Sequence, residues 1–124
     1  MADDYLGKLN VKYSHRSEDG FKIYELTKPL KSMIDNEVVI VPAGFRTDFA
    51  TVPYPINKVI SRDNKKYVKS AIIHDMLYRT KILSRFEADE MFFKSMCIEG
   101  TPLRYSIPFY FAVRLFGWTR WNRT

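Results

Sequence analysis

The chain has 124 residues, enough for one domain of ordinary size and too few for a second core. Hydrophobic residues make up 46% of it and charged residues 27%, a balance that argues against long disorder. Twenty Lys and Arg against fourteen Asp and Glu leave a net charge of +6. That charge favours anionic partners (nucleic acid, phospholipid or an acidic protein surface) without choosing among them.

The opening residues, Met1 to Tyr5, carry no basic region followed by an apolar stretch, so no signal peptide is expected. Leu9, Val11 and Tyr13 then alternate with Lys8, Asn10 and Lys12, which predicts a half-buried strand. Ser17 to Gly20 supply turn residues and Phe21 to Leu26 resume a strand-like pattern, so the two runs form a hairpin with a longer loop. A polar stretch follows Lys28 and Pro29. The β-branched run Glu37 to Val41 predicts another strand, which ends at Pro42, Ala43 and Gly44.

The second half reads as helices. Lys66 to Thr80 place Val68, Ile72 and either Ile73 or Met76 on one face. Ser84 and Glu87 form a capping box, and a helix over residues 84–99 carries Phe86, Asp89, Phe92, Phe93 and Met96. Gly100 and Pro102 stop it. A third helix over Ile107 to Phe116 would hold Pro108 in its first turn. Its apolar run, Phe109 to Val113, is closed by Arg114 and falls far short of the ~20 residues of a spanning helix. The expected architecture is one α+β domain over 1–124: strand-rich to about residue 55, helical over 56–117, with a basic aromatic tail over 118–124. The single cysteine, Cys97, allows no intrachain disulfide. It reads as a small core residue in a chain made in a reducing compartment.

Three places could carry chemistry. The segment Gly44 to Pro53 holds Thr47, Asp48 and Thr51 in a stretch too irregular for either periodicity. Asp48 there either caps a turn or faces a cleft. In the first helix His74 and Tyr78 stand one turn apart, with Asp75 rotated by roughly 100°. His74 is either a core histidine bonded to a backbone carbonyl or a base held by its second nitrogen. Asp89, amid apolar neighbours, needs a partner. His74 across a helix pair and Arg85 one turn earlier are both available, with Tyr78 a third candidate. The C-terminal aromatics Tyr105, Phe109, Tyr110, Phe111, Phe116, Trp118 and Trp121 interleave with Arg104, Arg114, Arg120 and Arg123. They suit either an anionic lipid interface, a nucleic acid, or a packed helix and a tail docked on another subunit. Cys97 has no histidine positioned to activate it, His15 reads as solvent-exposed, and no phosphate loop or nucleophile elbow occurs.

Four blocks occur in order: Gly44-Phe-x-Thr-Asp-Phe-Ala-Thr-Val-Pro53, Ala71-x-x-His74-Asp75-x-Leu-Tyr78-Arg79, Ser84-Arg-x-x-Ala-Asp89-x-x-Phe92 and Ala112-Val-Arg-Leu-Phe-Gly117. Together they resemble the domain-of-unknown-function family numbered 1353, found mainly in tailed phages and prophages. The resemblance implies a phage-encoded virion or late-gene product, located in the virion or the host cytoplasm, with other virion proteins or a second copy of the chain as partners. The His74, Asp75, Tyr78 and Asp89 pattern is also similar to the catalytic helices of phospholipase A2-type enzymes, nearest to the disulfide-free version in parvovirus capsids. That likeness implies a hydrolase with His74 as the base that activates water. Asp89 would orient it, Tyr78 would bond Asp89, and Asp75 would be a calcium ligand, with Asp48 or carbonyls near Gly44 completing the shell. The glycine-rich calcium loop of those enzymes has no counterpart in this chain. The two functional expectations are therefore a virion-associated structural or accessory protein built around a polar cluster, and a phospholipase-like hydrolase. A nucleic-acid module ranks third.

Overall fold

The structure, a computed structural model, describes residues 3–18, 20, 22–47 and 66–123. Strands precede helices, as the order of periodicities predicts. Strand β1 (Val11–Arg16) pairs antiparallel with β2 (Lys22–Leu26), the expected hairpin. It begins at Val11 rather than near Lys8, and its register shifts between Tyr13 and His15. A bulge of this kind re-aims side chains, and Val11 and Tyr13, expected to face inward, are exposed.

The stretch after Pro29, read from sequence as merely polar, is strand β3 (Leu30–Ile34). It pairs with β4 (Glu37–Val41) as a second, two-stranded sheet. Its inward residues are Leu30, Ser32 and Ile34; the hydroxyl in the middle hides the period-2 signal. The turn residues Asp35 and Asn36 both take positive φ, 52° and 64°, as a two-residue type I′ hairpin turn requires. Gly44, at φ +88°, follows Ala43 in the turn that leads into the short β5 (Arg46–Thr47), which adds to β2.

Four helices complete the described chain: α1 (Val68–Thr80), α2 (Arg85–Glu99), α3 (Leu103–Phe116) and α4 (Trp118–Arg123). Helix α1 was expected to bury one face. Instead every residue from Ser70 to Tyr78 is buried, so α1 is the centre of the domain. Its Ile72, Ile73, Met76 and Leu77 pack with Leu26, Leu30, Ile34 and Val41 of the strands and with Met91 of α2. At roughly 1.5–3 kcal/mol per large apolar side chain removed from water, this cluster is the main source of stability. A second cluster of Phe92, Met96, Phe109 and Val113 joins α2 to α3.

The helix ends have visible causes. The capping box is formed, with the Glu87 amide donating to Ser84 Oγ (3.1 Å) and the Ser84 amide to Glu87 Oε1 (3.2 Å). Helix α1 has no cap of its own: Glu99, at the far end of α2, accepts from the amides of Lys69 and Ser70 at 3.0 Å each and from Ser70 Oγ at 2.7 Å. A carboxylate at a helix N-terminus is stabilised by both the orphan amides and the dipole. Gly100, at φ +93°, ends α2 as expected.

Three further sequence expectations are corrected. Helix α3 starts at Leu103 behind Pro102 rather than at Ile107, which puts Pro108 inside the helix. Pro108 and Arg104 both lie on the exposed side, where water can bond the carbonyl that the missing N–H leaves free. Residues 118–123 are helical rather than a tail, and Trp121 packs against the core. Cys97 is exposed rather than buried.

Candidate functional site

The short loop Lys81 to Ser84 sets α1 beside α2, and the two helices bring their polar residues together inside the apolar interface. His74 Nε2 lies 2.7 Å from Asp89 Oδ1, and the Tyr78 hydroxyl donates to the same oxygen at 2.6 Å. A carboxylate can only accept, so Nε2 carries the proton and Nδ1 is the basic nitrogen of the neutral ring. The second carboxylate oxygen, Oδ2, accepts from Arg114 Nη1 at 2.7 Å and lies 3.5 Å from Arg85 Nη1. Arg85 also reaches across to α3, where its guanidinium donates to the carbonyls of Val113 and Arg114 at 3.0 and 3.2 Å. One buried carboxylate thus ties three helices.

All three partners that the sequence left open for Asp89 are present: His74 and Tyr78 across the helix pair and Arg85 on the same helix. Arg114 was missed. In the sequence it is one of the arginines interleaved with the C-terminal aromatics, and in the structure it points inward to Asp89. The available signal was its position, closing an otherwise apolar run, because a charge in such a helix needs a partner.

The ring of His74 is held between Tyr78 (centroids 4.2 Å apart) and Phe92 (4.7 Å), and the residue is 3% exposed. Burial lowers its pKa below the usual imidazole range, outweighing the hydrogen bond and charge of Asp89, which act the other way. Burial alone would raise the pKa of Asp89, but the hydrogen bonds from His74, Tyr78 and Arg114 more than offset it, and the carboxyl is held below its ordinary value. Burial and the neighbouring carboxylate both raise the Tyr78 phenol. At neutral pH the group is therefore a neutral imidazole, an ionised carboxylate and a protonated phenol. Gly117 closes the far side: a Cβ there would lie 2.5 Å from the Tyr78 hydroxyl and collide with the Val113 carbonyl.

Asp75 belongs to a second node. Its Oδ2 accepts from Arg79 Nη2 at 2.9 Å and its Oδ1 from Arg120 Nη2 at 3.2 Å. Arg79 also stacks on Phe45 (4.7 Å) and donates to the Arg46 carbonyl at 2.7 Å. Both Asp75 oxygens face guanidinium groups, so a cation would have to displace two arginines; the described residues do not fit a calcium shell. No group of three or more potential metal-ligating His, Cys, Asp or Glu occurs among the described residues. Asp48, the other candidate ligand, lies outside the described residues, as does the segment from it to Pro53. Two cavities are described, one between α2 and α3 and one beside Asp35 and Glu87; neither is lined by His74. His15 is exposed and bonds Ser14 Oγ. No described helix is long and apolar enough to cross a membrane.

A family model described as a protein of unknown function, DUF1353, matches residues 24–113, a span that contains His74, Tyr78 and Asp89 and all but the last residues of α3. No curated protein and no solved structure matches the chain.

Proposed function

Taking as premise that the chain belongs to the DUF1353 family of proteins of unknown function, we propose that it is a virion-associated structural or accessory phage protein whose His74–Asp89 cluster is an architectural lock. The phage setting comes from the resemblance of the four sequence blocks. The observation that carries the non-enzymatic reading is the saturation of Asp89: its two oxygens receive His74, Tyr78 and Arg114 at 2.6–2.7 Å. A catalytic orienting carboxylate serves a base whose free nitrogen reaches a water and a substrate carbonyl. Here the base is sealed between two aromatic rings and the carboxylate is shared with an arginine from a third helix. A buried network centred on a carboxylate with both oxygens bonded rigidifies and specifies helix pairing.

One observation favours the hydrolase. The His74, Tyr78 and Asp89 geometry is what an orienting pair with a supporting phenol needs, and a neutral imidazole at pH 7 is the competent state. The two readings part in a single experiment. Purified protein is incubated with anionic phospholipid vesicles and with a soluble ester, with and without millimolar calcium, beside His74→Gln. The lock predicts no fatty-acid release from either protein, a lower unfolding midpoint for the variant, and the chain present in purified particles of the phage that encodes it. Hydrolysis by the wild type that His74→Gln abolishes would overturn the proposal in favour of the hydrolase.

A further inference from the structure

A helix on the surface of a domain usually hides one apolar stripe and presents a polar one. Helix α3 departs from this. Its inward residues Ser106, Phe109, Ala112 and Val113 are buried. On the opposite side Leu103, Ile107, Phe111 and Leu115 recur every four residues and are 59%, 44%, 57% and 63% exposed. Beyond its C-terminal end Phe116 and Trp118 are also exposed, at 56% and 54%. Arg104 is the one charged residue among the exposed positions of α3. Alongside runs a groove of about 400 Å³ between α2 and α3, formed by Phe93, Ile107, Tyr110 and Phe111, with Glu90 and Lys94 on its rim.

We propose that this face is a homodimer interface, in which α3 of a second copy crosses α3 and seats its Ile107–Phe111 ridge in the groove. Three features select a second copy of this chain. Ridge and groove lie on the same face, which is the self-complementarity that a two-fold contact demands. Ridges at i, i+4 spacing on both helices interdigitate at a crossing angle near −50°, the commonest helix-packing class. The area is of the right order: four large apolar residues at about half exposure present on the order of 400 Å², within the range of functional patches on monomers, and the groove walls Phe93 and Tyr110 add to it. Together they come near the roughly 600 Å² per partner at the low end of stable interfaces.

The charges point the same way. The base on the rim, Lys94, is held by Asp35 of its own chain at 2.8 Å. A lipid surface would be recognised by Lys and Arg flanking the apolar face. Two of the four arginines after Glu99 are turned inward instead, Arg114 to Asp89 and Arg120 to Asp75. The inference is independent of the role of His74.

Sedimentation equilibrium over a concentration series tests it, with Phe111→Glu and Leu115→Lys as interface variants and Val38→Glu, on the exposed side of β4, as the control. The wild type and the control should run at twice the chain mass of 14.7 kDa. Each interface variant should weaken association at least roughly ten-fold while keeping the helical circular dichroism of the wild type. A spin label on Cys97, the chain's one thiol, gives a second readout: a dipolar coupling in the wild type that is lost in whichever variant stays folded. A wild type of 14.7 kDa at ~100 µM, above the µM to pM range that interfaces of this size span, overturns the proposal. So does unchanged association in both variants. Monomeric protein that binds anionic vesicles through Phe111 would assign the face to lipid instead.

Discussion

Asp89→Ala removes the acceptor that three helices share, and its cost can be worked from the contacts. The substitution strands His74 Nε2–H and the Tyr78 hydroxyl, both buried, at about 1–3 kcal/mol each. Arg114 loses its carboxylate too, but its side chain is 28% exposed and can turn partly to water, so its share is at the low end of that range. The sum is about 3–7 kcal/mol, and removal of one partner from a buried pair, at about 3–5 kcal/mol, puts the expected value in its lower half. Against a total stability of roughly 5–15 kcal/mol, that is a large fraction. With an unfolding entropy of about 2.1 cal/mol/K per residue, a chain of 124 residues loses about 15 °C in Tm for ~4 kcal/mol. Urea unfolding followed by circular dichroism should give a lower midpoint at an unchanged slope. Asp89→Asn should fall between wild type and Ala, since it keeps an acceptor for His74 and Tyr78 but turns an amide donor towards Arg114. A shift under ~0.5 kcal/mol for Asp89→Ala, the scale of an ordinary surface change, would refute the idea that this carboxylate locks the helices.

Acidification should destabilise the fold in two stages. The folded-state pKa of His74 is lowered from 6.5, so the unfolded chain takes up the proton first and stability falls as pH drops below about 6.5. Asp89 is lowered from 3.8, so its contribution is intact above about 3.8 and is lost below it; urea midpoints across pH, with His74→Gln flattening the upper stage, check both. Gly117→Ala should cost about 1–3 kcal/mol, because the added methyl meets the Tyr78 hydroxyl and the Val113 carbonyl; thermal unfolding reads it, and an unchanged Tm would mean that α3 and α4 adjust freely. Glu99→Ala should cost about 1–2 kcal/mol by uncapping α1, with faster amide exchange at Lys69 and Ser70 as its local signature.

Local signals in the sequence located most of the helical half. The capping box at Ser84, the stop at Gly100 and the spacing of His74 and Tyr78 each depend on residues within one or two turns, and each is present as expected. Failures came where a neighbour distant in sequence decides. Strand β3 carries Ser32 on its buried face, where the Gly7 amide donates to it at 3.1 Å, and no local pattern announces that. Helix α1 is buried on all sides because strands, α2 and α4 surround it, so its one-face reading was too modest. Pro108 resembled a first-turn proline because Pro102, which begins the helix, already served as the stop signal of α2. Within the site, the pairing of His74 with Asp89 followed from two helix periods and a short loop. The closing arginine came from α3, 25 residues away, where spacing carries no information about direction.

Those arginines also change what the net charge means. A formal +6 read as composition suggests a cationic surface for an anionic partner. Arg79 and Arg120 instead face Asp75, and Arg85 and Arg114 face Asp89. The guanidinium groups, their side chains 21–40% exposed, bind α1 to α2, α3 and α4, and the two carboxylates offset part of their charge. On α3 the turning of Arg114 towards Asp89 leaves an outward face that is mainly apolar, with Arg104 its one exposed charge. Charge attraction acts across a Debye length of about 8 Å at physiological ionic strength and is screened by salt, whereas apolar contact is not weakened that way. If the outward face of α3 binds a partner, that association should therefore survive salt concentrations that would strip a nucleic acid or an anionic lipid from a surface held by cations.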